Sequence, residues 1–169
     1  VEGDRKAEFF EDFYKQLTEQ NLIPAGRVLY GAGTQPEVTY FNCFVMPFIQ
    51  DSRSGLAKHR EEVMEIMSRG GGVGTNGSTL RPKSAVVHGV NGKSSGAVSW
   101  LNDLANLTHL VEQGGSRRGA QMIMLNDWHP DIFEFIISKI QNPLILQQLI
   151  TTSKNPLIKQ LASEKLAFS

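Results

Sequence analysis

The chain has 169 residues, 40% hydrophobic and 20% charged, a composition typical of a globular protein and not of a disordered one. Its 17 Lys and Arg balance its 17 Asp and Glu, so no global field favours nucleic acid or an anionic membrane as a partner. No apolar run approaches the roughly 18 residues that span a bilayer, and we expect a cytoplasmic protein. The single cysteine, Cys43, excludes an internal disulfide and argues against a cysteine-based metal site.

The first predicted element is an amphipathic helix over residues 5–20, whose apolar face we expect to lie in a core. That face consists of Phe10, Phe13, Tyr14 and Leu17. Pro24 and Gly26 break the period, and a short strand is predicted at residues 27–30. A longer strand is predicted at residues 38–46 from its alternation of side chains.

The middle of the chain alternates helices with two glycine-rich stretches. A helix over residues 54–68, beginning near Asp51 and Ser52, leads into residues 69–82 (RGGGVGTNGSTLRP), which we interpret as a glycine-dense loop. A short strand at 85–88 and a polar turn precede a helix over residues 97–113. The wide apolar surface of that helix suits contact with a second copy of the chain as well as a core.

The last part begins with a second basic glycine loop, residues 114–121, and an apolar strand at 122–125. A helix is predicted to start at His129, with Pro130 in its first turn. Its inward side chains are expected to be Ile132, Phe133, Ile136, Ile137 and Ile140. Short helices split at Asn155 should complete the chain, giving three segments: 1–25, 26–142 and 143–169.

The residues alone leave several chemical interpretations open. Either glycine loop could contact a nucleotide or be a structural turn, and neither has the Gly-Lys-Ser/Thr ending of a P-loop. The adjacent Arg117 and Arg118 could recognise phosphate or could be ordinary surface arginines. Cys43 is either a small buried hydrophobe or a redox thiol. Asp51 is a helix cap or a partner for a ribose hydroxyl. The four histidines share no helical face, so no metal site is expected.

A set of short motifs, in one order along the chain, resembles the amino-terminal part of ribonucleotide reductases. The resemblance is strongest to the adenosylcobalamin-dependent class. The motifs are residues 24–33 (PAGRVLYGAG), 41–44 (FNCF), 51–52 (DS), 69–74 (RGGGVG), 78–83 (STLRPK), 114–122 (GGSRRGAQM) and 129–132 (HPDI). The resemblance implies a ten-stranded α/β barrel, of which this helix-rich chain would supply the leading helices and first strands. Composition and periodicity by themselves indicate only a mixed α/β or α+β chain.

The resemblance also implies roles for single residues. Cys43 matches one of two cysteines that donate electrons to the substrate ribose, and the substrate nucleotide would lie against Asn42, Gly71, Gly72 and Val73. An allosteric deoxynucleotide or ATP would be bound by Asp51, Ser52, Arg81 and Lys83. The loop that relays the identity of this effector would comprise Gly114, Gly115, Ser116, Arg117, Arg118, Gly119 and Gln121. The implied partners are a ribonucleoside di- or triphosphate, a thioredoxin-like reductant and a second copy bound through residues 54–68 and 97–113.

One departure from the family pattern limits what this chain can do. The radical cysteine and the second thiol of the redox pair lie downstream in the family, whereas Cys43 is the only cysteine here. We therefore expect a reductase fragment that is inactive alone and binds adenosylcobalamin only in a larger assembly. The alternatives are a non-catalytic module for deoxynucleotide binding and dimerisation, or a structural remnant without ligands.

Overall fold

The structure is a computed structural model. It describes residues 3–35, 37–88, 92–113 and 117–167, and only the backbone of residues 112, 113, 117 and 118. The chain divides into two compact units, one ending at Asn42 and one beginning at Cys43. Helices outweigh strands among the described residues, which confirms the mixed helix and strand class. None of these described helices is both long and apolar enough to cross a bilayer.

The first unit contains two helices, α1 (Lys6–Thr18) and α2 (Gly26–Gly31). The predicted first helix is present, but the expectation that its apolar face lies in a core is wrong, because no residue of α1 is buried. Its aromatic rings instead contact one another along the helix, as in the pair Phe10 and Tyr14. Periodicity identifies an apolar face but does not determine what covers it.

The two predicted strands of this region are largely wrong. Residues 27–30 lie in α2, where the N–H groups of Val28 and Leu29 both donate to the carbonyl of Ala25. A four-residue apolar run is too short for periodicity to separate strand from helix. Of the strand predicted over residues 38–46, only three residues are extended and paired.

The second unit contains seven strands and five helices among its described residues. The strands are β1 (Cys43–Val45), β2 (Gly72–Asn76), β3 (Val86–Val87), β4 (Gly92–Lys93), β5 (Glu112–Gln113), β6 (Arg117–Arg118) and β7 (Gln121–Met124). The helices are α3 (Arg53–Ser68), α4 (Ala97–Leu110), α5 (Ile132–Ser138), α6 (Pro143–Thr152) and α7 (Pro156–Ala167). The helices, β3 and β7 lie within a few residues of the predicted bounds. The prediction of a helix to residue 113 is wrong at its end, because α4 stops at Leu110 and residues 112 and 113 form β5, and the strands β2, β4 and β6 lie where loops or turns were predicted.

A three-stranded parallel sheet in the order β1-β2-β7 forms the centre of this unit. Cys43 is the register partner of Gly72, and Val73 is the partner of Gln121. Helix α3 connects β1 to β2, as parallel neighbours require a crossover. The short pairs β3-β4 and β5-β6 are antiparallel.

The glycine-dense stretch is therefore not simply a loop, since its residues 72–76 form the central strand β2. A Cβ on Gly71 would lie 2.7 Å from Cγ2 of Ile66 and 2.8 Å from Cε2 of Phe44. Glycine is required there because α3 and β1 approach the backbone closely. The glycine content correctly indicated a close approach to the backbone, but the approaching atoms are side-chain atoms of the protein and not atoms of a ligand.

Helices α3 and α4 cover the sheet with apolar side chains. Val63 and Met67 of α3 are buried and pack with Val73 of β2 and Leu107 of α4. A second cluster surrounds Leu101. These two clusters fix the helices against the sheet.

The carboxyl-terminal helices form a smaller core around Ile137, Leu146 and Ala162. The predicted break between α6 and α7 is confirmed, and Asn142 accepts a hydrogen bond from the N–H of Leu144 to cap α6. Helix α5 begins at Ile132, so Pro130 precedes it and is not its first residue. The inward placement of two of its side chains is also wrong, because they are exposed. These are Phe133 and Ile136.

Candidate functional site

The loops that follow β1 and β2 bring Asp51 and Arg81 into direct contact. Nε of Arg81 donates to Oδ2 of Asp51 at 2.7 Å, and Nη2 donates to the backbone oxygen of Asp51 at 3.1 Å. The hydroxyl of Thr79 donates to the carbonyl of Ile49 at 2.6 Å and joins the same two loops. Both loops leave the carboxyl ends of parallel strands, where ligands of open α/β sheets commonly bind.

An open cleft surrounds this ion pair, and we call it the Asp51–Arg81 cleft. Its volume is about 290 Å³, near the lower end of small-molecule sites. It is lined by Asp51, Ser52, Arg53, Leu56, Arg81, Val87, Lys93, Ser94, Ser95 and Trp100. The side chains of Asp51 and Arg81 are each 32% exposed, so the pair is accessible to a ligand. The lining combines three cations, a carboxylate, several hydroxyls and one indole.

Helix α3 begins beside this cleft, and its cap is Ser52. The N–H of Gly55 donates to Oγ of Ser52 at 3.0 Å. The interpretation of Asp51 as the cap is therefore wrong, because its carboxylate accepts from Arg81 instead. The positive end of the helix dipole adds to the preference of the cleft for negative charge.

Cys43 lies at the other end of the sheet. It is the first residue of β1, beside Gly72, the first residue of β2. The thiol belongs to an exposed residue, so the interpretation of Cys43 as a buried hydrophobe is wrong. Gly71, Gly72 and Val73 are buried in the sheet next to it, whereas Asn42 is exposed and ends the first unit.

A buried polar network connects α3, β2, β7 and α4 between these two ends. Nε2 of His59 lies 3.2 Å from Oγ1 of Thr75, to which Nε2 of Gln121 donates at 3.1 Å. Oγ1 of Thr108 donates to Oε1 of Gln121 at 3.1 Å. Burial lowers the pKa of His59, with Glu62 opposing this shift, so the imidazole is neutral near pH 7. A neutral imidazole can accept the hydroxyl proton of Thr75 while that hydroxyl accepts from Gln121.

Of the other predicted effector residues, the three whose side chains the structure describes, Lys83, Gly119 and Gln121, do not line the Asp51–Arg81 cleft. The amine of Lys83 is 3.5 Å from Oε2 of Glu134. Gly119 packs against Met67 and Thr108, and Gln121 belongs to the buried network. Arg117 and Arg118 form β6, and their side chains are outside the described part of the chain, as are Gly114, Gly115 and Ser116.

Sequence reasoning missed several residues that the structure brings to the cleft or beneath it. Lys93 and Trp100 line the cleft, and Arg53 adds a third cation. The only sequence signal for Lys93 was its place in a polar, glycine-rich turn, and Trp100 looked like part of an apolar helix. His59 and Thr75 gave no signal, since their contact joins a helix to a strand 16 residues away.

Comparisons with known proteins agree on one family. A family model for the barrel domain of ribonucleotide reductase matches residues 41–149. The chain is 36% identical over 139 residues to a vitamin B12-dependent ribonucleoside-diphosphate reductase of Thermoplasma acidophilum, covering 82% of this chain and 18% of that protein. A reductase with the same description from Mycobacterium tuberculosis is 35% identical over 133 residues, with 79% and 19% covered.

A relative without B12 in its description gives a similar result. The large subunit of ribonucleoside-diphosphate reductase from Caenorhabditis elegans is 34% identical over 125 residues, covering 73% of this chain and 16% of that subunit. The chain thus spans less than a fifth of the length of these curated relatives.

Proposed function

The chain belongs to the ribonucleotide reductase family, and from that premise we propose that it carries the allosteric nucleotide site and one redox thiol of such an enzyme. The proposed ligand of the Asp51–Arg81 cleft is a deoxynucleoside triphosphate or ATP. The proposed reaction of the whole enzyme is reduction of a ribonucleotide to a deoxyribonucleotide. The observation that carries the proposal is the Asp51–Arg81 contact in an open cleft at the carboxyl ends of β1 and β2.

The chemistry of the cleft suits a nucleotide in three ways. Arg81, Arg53 and Lys93 can neutralise phosphate oxygens, and a guanidinium can do so with two parallel hydrogen bonds. The Asp51 carboxylate can accept a hydrogen bond from a ribose hydroxyl. The half-exposed indole of Trp100 offers an apolar face to a base.

Cys43 is proposed to supply one thiol of the pair whose oxidation to a disulfide provides two electrons to the ribose. Its exposure at the amino end of β1 supports this role, since a thiol must be accessible to a reactant and to a reductant. The second thiol must come from outside these 169 residues, because Cys43 is their only cysteine. We therefore propose that turnover requires residues beyond this chain.

The proposed effector and substrate sites would lie at opposite ends of β2. Five extended residues span about 13 Å, so the two ligands would not touch each other. The His59, Thr75 and Gln121 network lies along this strand and between the two ends. A second copy of the chain, contacting exposed parts of α3 and α4, and a thioredoxin-like reductant at Cys43 complete the proposed partners.

Three clefts lined by described residues of the second unit do not fit adenosylcobalamin by themselves. Their volumes are about 290, 380 and 330 Å³, whereas a corrin ring with its nucleotide arm is much larger than one nucleotide. We assign no residue of this chain to that cofactor.

Calorimetric titration of the chain with dATP, dGTP and dTTP tests the effector site. We expect saturable binding of at least one of them. Replacement Arg81→Gln should weaken binding by about tenfold or more, since a hydrogen-bonded cation contributes roughly 1.5–3 kcal/mol. The matched control is Arg60→Gln, because Arg60 also pairs with an aspartate, Asp103, at 3.0 Å but outside the cleft.

Two results would contradict this proposal: no binding at millimolar nucleotide, or equal weakening by the Arg81 and Arg60 replacements.

A second candidate function, a nucleotide-binding module without chemistry, is favoured by the fact that one compact unit contains every residue lining the cleft. Ribonucleotide reduction assayed with adenosylcobalamin and a dithiol separates the two functions once downstream residues of such an enzyme are supplied.

A further inference from the structure

Two side chains that immediately precede α5 hold the backbone on both sides of Arg81. Nε2 of His129 lies 2.9 Å from the carbonyl oxygen of Leu80. The carboxylate of Asp131 accepts from the N–H of Lys83, with both oxygens at 3.1 Å. Between these two anchors lie only Arg81 and Pro82, so the segment that carries the guanidinium is fixed at each end.

The direction of the histidine bond follows from its second nitrogen. Nδ1 of His129 accepts a hydrogen bond from the N–H of Asp131 at 3.1 Å. The proton of a neutral imidazole is then on Nε2, which donates to the carbonyl of Leu80. The ring is 6% exposed, so water competes little for this bond.

The carboxylate of Asp131 makes its hydrogen bonds outside the helix that it precedes. Asp131 occupies the cap position of α5, but its side chain makes no capping hydrogen bond to that helix. Its carboxylate instead accepts from the N–H of Ala97 at 2.9 Å, which caps α4. Gly96 has φ +96°, and a Cβ there would lie 2.9 Å from Oδ2 of Asp131. The backbone is thus shaped to admit this carboxylate, which is only 7% exposed.

The consequence is that the guanidinium of Arg81 has little conformational freedom. The side chain of Arg81 is held by Asp51, and the backbone around it is held by His129 and Asp131, with the fixed φ of Pro82 between these two anchors. Preorganised donors bind an anion with a smaller loss of conformational entropy than mobile donors do.

We propose that His129 and Asp131 are positioning residues that fix Arg81 for the phosphate groups of a nucleotide in the Asp51–Arg81 cleft. The inference rests on the proposed function of that cleft and adds to it a control of affinity from outside the cleft. Neither residue lines the cleft, and both hold the backbone beside Arg81. Asp131 also holds Ala97 at the start of α4, the helix that carries Trp100 of the cleft, and the Arg81→Lys background of the test below separates these two routes.

The test is a double-mutant cycle measured by calorimetry on the 169-residue chain. The ligand is whichever of dATP, dGTP and dTTP binds the unaltered chain most tightly. Replacement Asp131→Asn should weaken binding by about tenfold, because it turns one oxygen of a carboxylate that accepts from two N–H groups, those of Lys83 and Ala97, into a donor. In the background of Arg81→Lys, which keeps the charge but not the planar fork, the same change should weaken binding by less than about twofold.

The matched control is Asp127→Asn, an exposed aspartate four residues before Asp131, which should leave the affinity unchanged. Equal loss from Asp131→Asn in both backgrounds would mean a general structural effect and overturn the inference. Unchanged affinity in a folded Asp131→Asn chain would overturn it as well. Failure of the unaltered chain to bind any of the three nucleotides would instead refute the function proposed for the cleft, and the inference with it.

A second variant covers the case in which Asp131→Asn does not fold, as judged by circular dichroism. Replacement His129→Gln leaves the anchor on Lys83 intact and should weaken binding several-fold in the Arg81 chain only. The same affinity in His129→Gln as in the unaltered chain would overturn the inference.

Discussion

Replacement of Thr75 by valine tests the buried network most directly. Valine has nearly the same shape but no hydroxyl, so Nε2 of His59 and Nε2 of Gln121 both lose a partner. Thr75 is 0% exposed and His59 is 4% exposed, which leaves water little access to the imidazole, whereas Gln121 is half-buried. We therefore expect the free energy of unfolding to fall by about 1–3 kcal/mol, the usual cost of an unsatisfied buried polar group.

The assay is urea unfolding followed by circular dichroism, with Thr75→Ser as the matched control. Serine keeps the hydroxyl and removes one methyl, which should cost about 0.5–1.5 kcal/mol. The further replacement His59→Leu in the Thr75→Val chain removes one of the unpaired groups and should restore part of the lost stability. The reasoning is refuted if Thr75→Val is as stable as the original chain.

Two further predictions concern pH and packing. Because burial lowers the pKa of His59 in the folded state, the unfolded state gains a proton first as pH falls below about 6.5, and stability present above that pH is lost. His59→Gln should therefore lessen the fall in unfolding free energy between pH 7.5 and 5.5. A single titrating group contributes at most about 1.4 kcal/mol per pH unit to this fall. An unchanged pH dependence of the unfolding free energy would count against the role of His59. Gly71→Ala should cost about 1–3 kcal/mol in urea unfolding through its contacts with Ile66 and Phe44, whereas Gly74→Ala, whose new methyl would meet only a backbone oxygen at 3.7 Å, should cost far less. Equal costs for the two alanines would contradict the packing explanation.

Helix prediction succeeded where the apolar period was long and its ends carried capping signals. Helices α3 and α4 were found because three or more turns repeat the same apolar spacing. The split between α6 and α7 was predicted at Asn155, which precedes Pro156, and in the structure Asn155 accepts a hydrogen bond from the N–H of Leu157 at the start of α7. Strands were predicted less well, since β1 has only three residues and its partners lie far away in sequence.

The glycine-dense stretch shows the limit of local reasoning. Its composition indicated that something approaches the backbone, and a nucleotide or a turn was the natural expectation. In the structure Phe44 and Ile66 approach Gly71, and the next five residues are the middle strand of a sheet. No local pattern could distinguish a ligand from a side chain 27 residues earlier.

The candidate site also combines residues that the sequence grouped correctly in space with one that it did not. The family resemblance identified Asp51, Ser52 and Arg81, which the structure brings together around one cleft. It also grouped Lys83 with them, whereas the amine of Lys83 lies beside Glu134. Two neighbours along a loop can point in different directions, and the hydrogen bonds of Asp131 to the backbone decide where this loop turns.

The sequence by itself determined the mixed helical class, the main amphipathic helices, the lone thiol and the family. These properties depend on composition, on local periodicity and on the order of short motifs, which are all present in the chain before it folds. Only the tertiary structure decided that Gly72 and Gly74 belong to a strand, that Cys43 is exposed, and that His129 and Asp131 hold the Arg81 segment. The strand pairing and the bonds to the Arg81 segment join residues 29 or more positions apart, and such contacts exist only once the sheet and its helices have packed.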